Sequence, residues 1–158
     1  MSSFVKKDNN TVAQLDTMSM ALLPLIRYFH LALRVPESHG WRHGFDCAIG
    51  KWGQRRGLTI AYAVQKFVYD LLRCRQSTLD FYDPLDIDIR EKISPDEKTV
   101  LNLLIFMRMD ETKKARDIIF KLHRGRIDPI FVRHGLELAA MLDGAPMMVK
   151  IPKLKVVK

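Results

Sequence analysis

The chain is poor in cysteine, lacks any long apolar run, and carries fewer acids than bases, and each shortage narrows what it can be. Two cysteines, Cys47 and Cys74, among 158 residues make no disulfide framework, so a reducing compartment, the cytoplasm, is expected. Every apolar run is interrupted by Arg, Lys, Asp or His before it reaches the ~18 residues that a membrane-spanning helix needs. No membrane partner is therefore expected. The opening MSSFVKKDNN has no apolar stretch behind its lysines, so it does not read as a secretory signal. An apolar share of 47% argues against wholesale disorder.

Twenty-six Lys and Arg against eighteen Asp and Glu give a net charge of +8. The surplus is uneven. Residues 1–49 sum to +1, 50–76 to +5, 77–97 to −5 and 98–158 to +7. Two basic blocks thus flank an acidic connector. Clustered positive charge gains by releasing counterions from a polyphosphate. The alternative is plain solubility, with the connector matched against the blocks.

The stretch Pro36–Gly57 stands out, with five of the eight glycines, both tryptophans and two of the five histidines. Each glycine in a helix interior costs about 1 kcal/mol relative to alanine. The expectation is therefore a wrapped, mostly irregular segment, with at most a short helix around Phe45–Lys51. Trp41, Phe45 and Trp52 are too apolar to remain in water, so the segment must dock on something.

Elsewhere the pattern is helical. Thr11 and Gln14 form a capping box ahead of an apolar stripe through Val12, Leu15, Met18, Leu22, Ile26, Phe29 and Leu33. That helix should run to about Arg34, bent or split by Pro24, with Arg27 and Arg34 on its wetter side. Thr59 caps a second helix reaching about Arg75. Its buried face is Ile60, Val64, Phe67, Val68, Leu71 and Leu72, and its rim is Tyr62, Lys66, Tyr69, Arg73 and Arg75. The acidic connector follows, with a weak strand signal at Leu85–Ile89. Ser94-Pro95-Asp96-Glu97 is a complete helix start. Asp110 and Asp128-Pro129 should open two more helices, stopped by Gly125 and Gly144 and packed as antiparallel neighbours.

The expected fold is an all-α, irregular or orthogonal bundle of about five helices, with the Gly/Trp segment between helices 1 and 2. Residues 1–144 form one domain: a helix pair (11–76), the connector (77–93) and a three-helix part (94–144). A basic tail, 145–158, follows.

For chemistry, His39, His43 and Cys47 recur every four residues, a spacing that gathers metal ligands on one helical face. Gly40 and Gly44 weaken that helix, and no fourth ligand is near. No metal or other cofactor is expected. Gly44–Lys51 misses the phosphate-cradling GxxxxGK[ST] spacing by one residue, with Trp52 in place of the hydroxyl. Asp83, Asp86 and Asp88 lack the glycine and glutamate of a calcium loop. The Cys47–His43 pair is the only thiol–imidazole arrangement suggested by spacing, and no enzyme activity is expected from it.

Trp41-Arg42, Lys51-Trp52 and Arg55-Arg56 interleave rings with cations, a combination suited to stacking bases and meeting phosphates. Lys121, Arg124, Arg126 and Arg133 make a second basic group around Gly125. A helix–turn–helix reader built from the Asp110 and Asp128 helices has too long a connection at Arg124–Asp128. The leading expectation is a nucleic-acid-associated accessory or regulatory protein that holds phosphate through both basic groups. The alternative is a helical adaptor with a tryptophan patch for a partner protein and a tail for an acidic protein surface; a third reading, a small metal- or thiol-dependent enzyme, requires His39, His43 and Cys47 to converge.

Overall fold

The structure is a computed structural model that describes residues 15–74 and 79–143. Five α-helices follow one another, and no strand forms among the described residues. They are α1 (Thr17–Arg34), α2 (Gly40–Arg73), α3 (Pro95–Arg108), α4 (Thr112–Leu122) and α5 (Pro129–Asp143). The chain is the all-α bundle that its periodicity predicted. The Thr11–Gln14 capping box, Arg75 and the basic tail lie outside the described residues.

Asp16 caps α1 by accepting the Ser19 amide at 2.7 Å. Pro24 sits inside the helix without splitting it. Its missing amide leaves the Met20 carbonyl without the usual donor, and the Lys51 ammonium supports the adjacent Ala21 carbonyl at 2.8 Å. Arg27 is buried, contrary to its expected wet position. It forks onto the carboxylate of Glu97, with Nε to Oε2 at 2.5 Å and an NH2 nitrogen to Oε1 at 2.9 Å. It also donates to the carbonyls of Arg90 and Lys92. One guanidinium thereby fastens the end of the connector to α1 and α3. Removing either member of a buried ion pair strands the other in a poor dielectric, which is why the whole fork must form together.

The glycine-rich segment corrects the expectation most. It is helical from Gly40, forming the first limb of α2, and the only non-helical residue within α2 is Gly53, at φ 82°, ψ 167°. That backbone region is open almost solely to glycine, and it turns the helix sharply into a second limb. In a straight helix Ala48 and Gly57 would lie about 13 Å apart. Instead, a Cβ on Gly57 would meet the Ala48 carbonyl oxygen and the Ile49 backbone at 2.7 Å. Gly40 and Gly44 lie against α1: a Cβ would fall 2.5 Å from the Tyr28 carbonyl oxygen at one and 2.9 Å from the Phe29 ring at the other. The intrinsic cost of glycine in a helix is offset by backbone contact that no side chain allows. Thr59 is accordingly not a cap; it sits mid-helix and donates to the Arg55 carbonyl.

The second limb buries Ile60, Val64, Phe67, Val68 and Leu71 and leaves Tyr62 and Tyr69 exposed, as their periodicity implied. It runs antiparallel to α5, since Arg73 meets Asp128, Asp70 meets His134 and Lys66 meets Glu137. Phe67 stacks on Phe131 with centroids 5.1 Å apart. The capping box at Ser94 and Glu97 forms in full. Asp128 opens α5 by accepting the Ile130 amide at 2.8 Å. Asp110, however, takes a left-handed backbone (φ 55°) after α3 and caps nothing; α4 starts after Glu111. In the connector, Leu85–Ile89 forms turns rather than a strand. Asp83 and Asp86 accept the amides of Leu85 and Asp88, so these acids order their own loop.

Candidate functional site

The residues singled out by sequence separate into three places. On the first limb of α2, Trp41 is 47% exposed while Trp52 is 4% exposed. Trp52 therefore offers no ring face to a base. Lys51 is committed too: besides Ala21 it meets Cys47, and burial lowers its pKa from the ordinary lysine range. Arg42 stays exposed, its guanidinium 5.8 Å from the centroid of Trp41. Arg55 and Arg56 are exposed just past the bend, at the start of the second limb.

Lys121, Arg124, Arg126 and Arg133 are exposed at the other end of that limb. Arg124 and Gly125 both adopt left-handed backbone, at φ 52° and 84°. The segment then reaches Asp128, which pairs with Arg73 at 2.9 Å. From Arg56 to Arg73 the helix rises about 25 Å, so Arg55 and Arg56 stand at the opposite end of the α2–α5 pair from Arg124 and Arg126. The fold does not merge them. Nor does it form a reader from α4 and α5, because α4 packs chiefly on α3.

His39 is exposed in a left-handed turn, and His43 stacks on Tyr28 with centroids 5.4 Å apart. Cys47 faces Lys51. Among the described residues no three His, Cys, Asp or Glu side chains are grouped to hold a metal ion. Cys74 is held as a thiol. It donates to Asp128 at 3.2 Å, and burial together with that bond pushes its pKa up to about 11. The same contact, followed by the Ile130 amide, holds Asp128 down at about 2.

The chemically richest place was not predicted as a whole. A groove of about 530 Å³ opens between the end of α1, the first turn of α2, the second limb of α2, and α5. Phe29, Ala32 and Leu33 form its α1 wall, and Trp41, Tyr62 and Tyr69 complete an aromatic lining. Tyr62 and Tyr69 are 57% and 53% exposed. Lys66 lies 4.8 Å from the Tyr62 ring centroid. At the floor, buried Asp70 hydrogen-bonds to Nδ1 of His134. With Nδ1 so engaged, the free valence of the ring is Nε2. A smaller cavity of about 180 Å³ lies among α3, α4 and α5, lined largely by apolar residues such as Phe106, Ile119 and Leu136. Asp110, Thr112 and Arg116 also line it.

Part of the groove was visible in the sequence. Leu33 ends the α1 stripe, and Tyr62, Lys66 and Tyr69 fall on the expected rim of the second helix. Asp70 and His134 are 64 residues apart, and only the antiparallel pairing of α2 with α5 joins them. No family model matches the chain, and no curated protein or solved structure matches it either. Among the described residues no helix is long and apolar enough to cross a membrane.

Proposed function

We propose that the chain is a protein-interaction adaptor whose working surface is the aromatic groove. The observation that carries this is the convergence of Trp41, Tyr62 and Tyr69, each about half exposed, on one cavity. Large rings with a polar tip are the side chains that most often anchor protein partners. Arg42 and Lys66 at the groove favour a partner segment bearing acidic residues. Site-specific photo-crosslinking tests it. A photoreactive phenylalanine replacing Tyr69 should yield a discrete protein adduct in source-cell extract, lost when Trp41→Ala is added. The same probe at exposed Lys113 should not. Indistinguishable labelling at the two positions rejects the proposal.

A second reading keeps a polyanion as ligand. It is supported by exposed Lys121, Arg124 and Arg126 around the left-handed Arg124–Gly125 turn. Binding to labelled single-stranded DNA or RNA should weaken steeply with salt. Absence of binding at low salt, or indifference to salt, removes this reading.

A further inference from the structure

We infer that the groove floor is a subsite for an aromatic ring joined to a carboxylate, and that His134 recognises the carboxylate. The source it fits is the C-terminal aromatic residue of a partner protein. This deepens the adaptor reading and rests on it for the partner, though not for the chemistry of the floor.

Three observations converge. First, buried Asp70 fixes the imidazole through Nδ1, and Nε2 has no partner among the described residues. In the protonated ring Nε2 is a donor, and it is not among the buried, unpartnered atoms, so the open groove can reach it. Second, Lys66 lines the same cavity and is held only loosely, 3.7 Å from a half-exposed Glu137. Lys66 and His134 thus offer nitrogen donors to one cavity. Third, the neighbouring walls are rings and aliphatic carbons that can bury an aromatic group but offer an isolated ion nothing. A bare phosphate would leave the rings unused, and a neutral ring would make no use of Nε2.

The charged groups around His134 are Asp70, Lys66 and Arg73 of α2 and Glu137 of α5. The α1 wall contributes Phe29, Ala32 and Leu33, none of which titrates.

The test uses the full chain and three probes: the peptide acetyl-Gly-Gly-Phe with a free C-terminus, the same peptide as its C-terminal amide, and 3-phenylpropionate. Affinities are read by calorimetric titration at one fixed pH. The acid peptide should bind about tenfold more tightly than the amide. That preference should vanish in His134→Gln, while Tyr69→Ala should weaken acid and amide alike. Should His134→Gln fail to fold, the change Lys66→Gln at a half-buried position serves, with a partial loss of the preference expected. Equal binding of acid and amide, or a preference untouched by both variants, overturns the subsite. Equal binding of 3-phenylpropionate and the acid peptide overturns the assignment to a protein C-terminus and leaves a small aryl acid as the ligand. A specific crosslinked partner alongside acid–amide parity rejects the anchor chemistry alone. An acid preference without any crosslinked protein rejects the adaptor reading alone.

Discussion

Trp41 and Trp52 stand eleven residues apart on one limb of α2, and they mark two regions built on opposite plans. Around Trp52 the chain closes. Gly53 turns the helix, Gly57 presses on Ala48 and Ile49, and Gly40 and Gly44 let the limb lie directly on α1. Around Trp41 it stays open, because Tyr62, Tyr69 and Leu33 stand apart and leave a cavity. Small residues bring backbones together and exclude ligands; large ones facing a gap create room for them.

The sharpest way to break this comparison is to truncate both tryptophans. Trp52→Ala should cost about 3–5 kcal/mol in urea unfolding, since it empties a packed position. Trp41→Ala should cost less than about 1 kcal/mol, because half its surface is already wet. Groove binding should respond in the reverse order. Similar losses of stability from the two changes would mean that the groove is part of the core.

A finer test uses alanine at two glycines of α2. Gly57→Ala should destabilise by about 1–3 kcal/mol, because the new Cβ would meet backbone that has no side chain to swing away. Gly50→Ala points into open space and should stabilise by about 0.5–1 kcal/mol through the unfolded chain's lost freedom. If both stabilise, the two limbs do not touch at Gly57.

The sequence disclosed the helices better than their contacts. The Ser94–Glu97 box, the Asp128 cap and the buried face from Ile60 to Leu71 follow from local chemistry, and all three form. The glycine segment was misread because its helical cost is local while its compensation is tertiary. Periodicity placed Arg27 toward water; its partners, Glu97 and the connector carbonyls, lie 63 to 70 residues further on. Composition also cannot distinguish Trp41 from Trp52, or a solvated lysine from Lys51 on the Ala21 carbonyl. The Asp70–His134 pair belongs to the same class, visible only once α2 and α5 lie antiparallel.

Two histidines carry the comparison to its smallest expected effect. His134 belongs to the open region and should govern binding. His30 belongs to the closed one, edge-on to Phe81 at 4.7 Å, and its Nε2 is buried without a hydrogen-bond partner. Burial, with help from nearby Arg34 and against the pull of Asp80, lowers its pKa to about 4. The unfolded ring titrates near 6.5. Above that pH both states are neutral and His30 adds no pH dependence. Between about 6.5 and 4 the unfolded chain binds the proton that the folded chain refuses, so stability falls as pH falls. Because the ring is only partly enclosed, the loss is about 1 kcal/mol rather than the full shift. Urea unfolding at pH 7.5 and pH 5 should show it, and His30→Leu should remove that share of the difference while leaving groove binding unchanged. If His30→Leu keeps the whole pH dependence, the proton is taken up elsewhere, and the boundary between the closed and open regions does not run where these two rings place it.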